Sequence, residues 1–349
     1  MTNKFLTSGK MQGMWRKQKL SGGPAINWKY WLVYLGAPLK GPPSFPYGAL
    51  EALERPPWQD RFTTILRELV PPTTLQKFVI YGYTSISFPN WVMNIGNYLP
   101  NVVQMEMVGL PNCNGFPPIA QLPSLRVLTL KDMVSLEEWN TTYSSGEDGV
   151  NELMFRVSTN LTVESSKVPL HQRRLLHHLP TLSGLHLEHC SDLTSSPEIS
   201  WALQSLKSLS LEMSAQSKQS ELVGELTYLQ QLVITRYLKL DELPDNMRQL
   251  KQLQSLMLHT CQSLRQLPLW LRELTSLKKH VISNCSAITT LSNSIEQLTN
   301  LQELKIPVCL NLKPWLEAEE NKTKLAHIVQ KPVCCSPSSR VAIPASPRR

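Results

Sequence analysis

Residues 250–274 read LKQLQSLMLHTCQSLRQLPLWLREL, and this stretch decides the fold because its grammar returns every 24 residues. Leu226, Leu250, Leu274 and Leu298 open successive copies of the pattern LxxLxxLxLxxCxxLxxLPxxLxxL. The clearest copy carries Leu250, Leu253, Leu256, Leu258, Cys261, Leu264, Leu267 and Pro268. Its neighbours repeat the frame at Leu226, Leu229, Leu232 and Ile234, at Leu274, Leu277, Ile282, Cys285, Ile288 and Leu291, and at Leu298, Leu301, Leu304, Ile306, Cys309 and Leu312. Looser copies start at Leu75, Leu99, Leu122, Leu179 and Leu203, which makes nine starts. A fixed period of this length marks units that stack on copies of themselves.

The pair Leu256 and Leu258 alternates with period two, so both side chains fall on one face of a short strand. The ladder position that follows (Cys190, Cys261, Cys285, Cys309) suits a small inward side chain, and the LPxxL segment suits a short helix or irregular turn. One coil cannot cover its own apolar side. Its leucines are buried only by neighbouring coils, each fully buried one contributing roughly 1.5–3 kcal/mol. The predicted fold is therefore α/β, a leucine-rich-repeat solenoid: a curved horseshoe with a parallel β-sheet on the concave face and short helices and turns on the convex side. His280 breaks the frame, standing where adjacent copies have Leu232, Leu256 and Leu304. An inward imidazole needs a hydrogen-bond partner or costs about 1–3 kcal/mol, and a tolerated defect is preferred here to a ligand or pH switch.

The chain has 349 residues and a formal charge of +8, and the distribution of that charge matters more than its size. Residues 1–50 carry seven Lys or Arg and no acid, residues 331–349 carry four and no acid, and residues 51–330 carry 24 bases against 27 acids. The repeat body is near neutral, so no basic stripe of the kind that binds nucleic acid is expected there. Four of the seven cysteines sit at the inward ladder position and read as small buried hydrophobes, not as a disulfide framework. No run of 18 apolar residues exists, so no membrane span is expected. The nearest stretch, WKYWLVYLGAPL (Trp28–Leu39), is short, interrupted by Lys29 and followed by prolines, and an unstructured segment is preferred to a signal or transit peptide.

The organisation expected is a non-repeat, disordered segment over 1–61, a first repeat block over 62–138, and an irregular insertion over 139–178. A regular repeat block over 179–315, a capping helix over 316–330 and a disordered basic tail over 331–349 complete it. The insertion is read from NTTYSSGEDGV (Asn140–Val150), polar by composition, and from a spacing between Leu122 and Leu179 that two coils do not fill.

Two segments carry a resemblance. LRELVPPTTLQKFVIYGYTSISFPNW (Leu66–Trp91) resembles the two-proline, strand and FPxW segment found in the repeat region of plant nucleotide-binding leucine-rich-repeat disease-resistance proteins of the coiled-coil class. LPNCNGFPPIAQLPSLRVLTLKDM (Leu110–Met133) is similar to that family's cysteine, double-proline and QLPSL signature, and the CxxLxxLPxxLxxL coils continue the match to Leu325. The resemblance implies a non-enzymatic, cytoplasmic module of plant defence. Its partners would be proteins, a pathogen effector or a guarded host protein, together with a nucleotide-binding switch domain. That switch is where the chain departs from the family: no GxxxxGK[ST] loop occurs, so nucleotide binding is not carried over, and no apolar heptad supplies a coiled coil over 1–60. The chain resembles a sensor region without its switch. Two alternatives stay open, an extracellular receptor-like ectodomain and a stand-alone repeat scaffold without immune role. Cysteine at the ladder favours the reducing side of the membrane, while the sequons at Asn140, Asn160, Asn284 and Asn321 matter only in a secreted chain.

No catalytic, metal or cofactor site is assigned. HLEHC (His186–Cys190), with His177 and His178 nearby, offers ligand-type residues, but alternation sends His186 to the concave side and Cys190 inward. The acidic pairs Glu137–Glu138 and Asp241–Glu242 read as solvated turns. Candidate protein-binding residues are those that flank the inward pairs: His186, Glu188, Ser210, Glu212, Gln231, Val233, Thr235, Arg236, Ser255, Met257, His259, Thr260, Lys279, Val281, Ser283, Glu303 and Lys305.

Overall fold

The apolar alternation of each coil becomes the inward face of a short strand. A computed structural model describes residues 30–34, 66, 71–113, 117–133, 159–165, 181–190, 203–212, 223–238 and 240–330. They divide into two units, one ending at Leu182 and the other starting at Ser183.

In the first unit β1 (Tyr30–Tyr34), β2 (Lys77–Tyr81), β3 (Gln104–Val108), β4 (Val127–Lys131) and β5 (Asn160–Glu164) pair in chain order, all parallel. Phe78 and Ile80, Met105 and Met107, Leu128 and Leu130, and Leu161 and Val163 point into the core. Between β2 and β3, the FPNW segment opens the one-turn helices α1 (Asn90–Met93) and α2 (Ile95–Tyr98). Trp91 closes that side of the coil: its ring meets Phe78 edge-on at 5.8 Å, and its indole N–H donates to the Leu66 carbonyl at 2.7 Å. Tyr83 stacks on Phe88 at 5.3 Å and donates its hydroxyl to the Ser87 carbonyl, so a buried phenol keeps its hydrogen bond.

The second unit repeats the plan with β6 (Gly184–Glu188), β7 (Ser208–Glu212), β8 (Gln231–Thr235), β9 (Ser255–His259), β10 (Lys279–Ser283) and β11 (Glu303–Lys305). Its register runs Leu185, Leu209, Leu232, Leu256, His280, Leu304, which stacks one inward position of six coils into a column. On the far side the LPxxL segments form 3-10 turns at Asp245–Gln249, Leu269–Glu273 and Asn293–Gln297. Pro244 and Pro268 precede the first two in extended backbone, where proline's fixed φ suits the entry and its missing N–H is not needed. Ser292 stands at the third and accepts a hydrogen bond from the Ser294 amide. Met247, Leu271 and Ile295 return from these turns into the core. The fold is a leucine-rich-repeat solenoid.

Eight of the described strands are left through one residue of positive φ. Gly82, Gly109, Asp132, Ser165, His189, Arg236, Thr260 and Asn284 follow their strands directly, with φ between 48° and 70°. The turn aims the amide along the stack: Gly82 donates to Val108, Gly109 to Lys131, Arg236 to His259 and Thr260 to Ser283, each to a carbonyl of the next coil. The next side chain then points inward. Cys190, Cys261, Cys285 and Cys309 fill that position with buried side chains. The Sγ of each of the last three lies within donating reach of a carbonyl of the preceding coil (Ile234, Leu258, Ile282) and of the one two residues before itself, alternative acceptors for its single proton. The thiols also bond one another, which pulls Cys261 below the ordinary thiol range and, through that same contact with Cys261, pushes Cys285 up to about 12.

The structure departs from three sequence expectations. The segment 1–61, expected to lack structure, contributes β1, whose YWLVY run is rich in aromatic and β-branched residues but lies outside the repeat. The insertion 139–178 contributes β5, in which Leu128 pairs with Leu161 and not with a residue one repeat length away. In place of one capping helix over 316–330 there are two short helices, α3 (Lys313–Glu317) and α4 (Glu319–Lys324). Leu325 and Ile328 then cover the last coil, and Gln330 bridges to Glu303. The remainder of 1–61 and 139–178, and the whole tail 331–349, lie outside the described residues.

His280 is inward and fully buried, as its register implies, with Nδ1 3.0 Å from the Leu256 carbonyl and no hydrogen-bond partner at Nε2. Burial lowers its pKa from 6.5 to about 4. The folded protein therefore holds a neutral imidazole where the unfolded chain binds a proton, so stability falls as pH drops from 6.5 towards 4, by roughly 3 kcal/mol in full. His280→Leu is expected to raise the melting temperature at pH 7, by about 1–3 kcal/mol of stability, and to remove that acid-dependent loss; thermal melts from pH 7 to pH 4 measure both. Val308 is a β-branched residue at φ 63°, a conformation costing about 1–3 kcal/mol for a side chain of this kind. Val308→Gly is expected to stabilise the chain in urea unfolding, and a lower midpoint would show that its side-chain packing outweighs the strain.

Candidate protein-binding surface

The face of the sheet opposite the inward column is built by the alternate strand positions, and in the second unit all 17 sequence-derived candidates come from it or from the turn beside it. The outermost rows run Ser208, Gln231, Ser255, Lys279, Glu303 on one side and Glu188, Glu212, Thr235, His259, Ser283 on the other. Between them the central row reads His186, Ser210, Val233, Met257, Val281, Lys305. Arg236 and Thr260 are positive-φ residues at the strand ends, with Arg236 exposed and Thr260 half-buried.

The face is graded in charge. At the β6–β7 end Glu212 pairs with Arg236, and Glu188 lies 3.8 Å from His186 and 3.5 Å from His189. At the β10–β11 end Glu303 sits between Lys279, at 3.0 Å, and Lys305. Burial drives the Glu303 carboxyl up, but the hydrogen bonds and charges of the two lysines outweigh it, and the net shift is downward. Between these ends Val233, Met257 and Val281 stand in register on three adjacent strands without a charge among them.

Accessibility differs from expectation at three positions. Ser255 and His259 are 8% exposed and Val281 is 4% exposed, although all three belong to the open face. Period two assigns a face, not an accessibility. With strands about 4.8 Å apart, a short side chain is shaded by longer neighbours, as Ser255 is between Gln231 and Lys279. Burial also lowers the His259 pKa and keeps the imidazole neutral. Ser255 Oγ and His259 Nε2 have no hydrogen-bond partner among the described residues. The candidate set omits the equivalent face of the first unit, where Lys77 pairs with Glu106 at 2.5 Å and Lys131 pairs with Glu164. The same alternation in KFVIY, QMEMV and NLTVE carried that signal. The set also omits His189, whose turn position hid its approach to Glu188.

Among the described residues no helix is long and apolar enough to cross a membrane. A repeat fold of this kind is generally a non-enzymatic interaction scaffold and generally binds proteins.

Residues 58–133 match the family model described as R13L1/DRL21 LRRs. The chain is 29% identical over 189 residues to the disease resistance protein RGA2 of Solanum bulbocastanum, a match that covers 52% of this chain and 19% of that protein. Together these matches support relating the chain to an NLR-type leucine-rich-repeat region. The chain spans less than a fifth of that relative's length. Among solved structures it is similar to the leucine-rich-repeat domain of the type III effector XopL, at 20% identity over 65% of this chain and 75% of that one, with a TM-score of 0.45. It is also similar to a leucine-rich-repeat protein of Leptospira interrogans, at 21% identity over 75% of this chain and 78% of that one, with a TM-score of 0.31.

If the shading of Ser255 is the reason for its burial, Lys279→Ala uncovers it without unfolding the coil. A cysteine at that position (Ser255→Cys) is then expected to react faster with a maleimide in the Lys279→Ala background, with stability unchanged to within about ±0.5 kcal/mol, the range of an ordinary surface substitution.

Proposed function

We propose that the chain recognises proteins in plant defence, sensing a pathogen effector or a guarded host protein inside the cell through the open face of its repeat strands. The observation that carries the reading is the half-buried pair Val233 and Met257, uncharged and in register on adjacent strands, backed by the buried Val281 and with charged groups at both ends of the face. Interfaces tend to place their apolar, desolvated contacts at the centre and polar groups at the rim, which is the order found here. The relationship to a resistance protein supports the defence context. The buried cysteines at the ladder suit a reducing compartment and support the intracellular placement.

Pairwise binding of the purified chain to a panel of pathogen effectors and host proteins, scored by interferometry, tests the reading. A partner is expected whose affinity falls about tenfold or more with Met257→Arg, because a charge forced into the strip costs a hot-spot contact, while the melting temperature holds. A partner that binds the variant unchanged would place recognition elsewhere on the chain.

A further inference from the structure

The segment HLEHC returns with a different partner from the one its cysteine suggested. Cys190 is committed inward, its thiol donating to the Glu188 carbonyl at 3.3 Å. Glu188 instead draws the histidines together: Oε1 lies 3.5 Å from His189 Nδ1 and Oε2 lies 3.8 Å from His186 Nε2. Glu212, from the next strand, completes a group in which ligand atoms of Glu188, His189 and Glu212 all lie within 4.8 Å of one another.

We propose that Glu188, His189 and Glu212 bind a divalent transition-metal ion of the zinc type on the second unit. An imidazole with carboxylates is a borderline-soft donor set suited to Zn²⁺ or Co²⁺, and three protein ligands leave a coordination position open. Bonds of about 2.0–2.2 Å in a tetrahedral site place neighbouring ligand atoms about 3.3–3.6 Å apart. The His189–Glu188 separation already has that length, which is long for a direct hydrogen bond.

The backbone holds the ligands in place. Glu188 and Glu212 end paired parallel strands, in register with each other. His189 is fixed at φ 48° by the same turn that follows seven other described strands, and its amide donates to the Glu212 carbonyl at 3.3 Å, which ties the residue to the strand that carries the second carboxylate. His186 Nε2 lies on the side of the other Glu188 oxygen, at 3.8 Å. Arg236, paired with Glu212, competes with the ion for that carboxylate.

Isothermal titration of the full chain with Zn²⁺, repeated with Co²⁺ and read by visible absorption, tests the site. The variants are Glu212→Gln, His189→Asn and Arg236→Gln; asparagine keeps the tolerance for positive φ that the turn requires and removes the imidazole. One equivalent of metal is expected whose affinity falls more than about tenfold in both ligand variants and rises in Arg236→Gln, with circular dichroism unchanged. Absence of a bound equivalent in the parent chain overturns the proposal. So does an equivalent that survives both ligand variants, because it then belongs to other residues.

Discussion

Burial of each coil's apolar side by the coil beside it is the interaction on which the rest of this structure depends. A coil of about 24 residues encloses no core of its own, so Leu232, Leu256 and Leu304 are dry only because the neighbouring positions stack on them in register. Everything else serves that stack. The positive-φ residue aims its amide at the next coil, and the thiols of Cys261, Cys285 and Cys309 return bonds to the coil before. The 3-10 turns keep the outer side short enough for adjacent coils to touch.

The same constraint creates the open face of the sheet. Strand residues that face the core are committed to leucine-like shapes, whereas their alternates are bound only by the charge and bulk of the neighbouring strands. Variation concentrates on that open face: acidic groups and histidines at β6 and β7, an uncharged strip across β8 to β10, lysines around Glu303 at the end. A fold whose core is repetitive thereby carries a surface that is not.

Much of this was legible in the sequence because the repeat ties residue type to position. The inward leucines, the buried ladder cysteines and the defect at His280 all follow from the period alone. What it hid were features set between coils. The strand Asn160–Glu164 has the right alternation, NLTVE, but stands off the 24-residue beat, so a reading by period passes over it. The strand at Tyr30 lies outside the repeat altogether. Ser255, His259 and Val281 sit on the predicted face yet are buried, Ser255 and Val281 between longer side chains 24 residues away, and the approach of Glu188 to His189 depends on a turn that alternation does not describe.

Hydrogen exchange on a chain carrying Leu256→Ala tests the central claim most directly. Each coil's stability is borrowed from its neighbours, so the cavity left on β9 is expected to reduce amide protection in β8 and β10 together with β9, while β2 to β4 keep theirs. Loss of protection confined to β9 would show that a coil holds itself together, and would contradict the account.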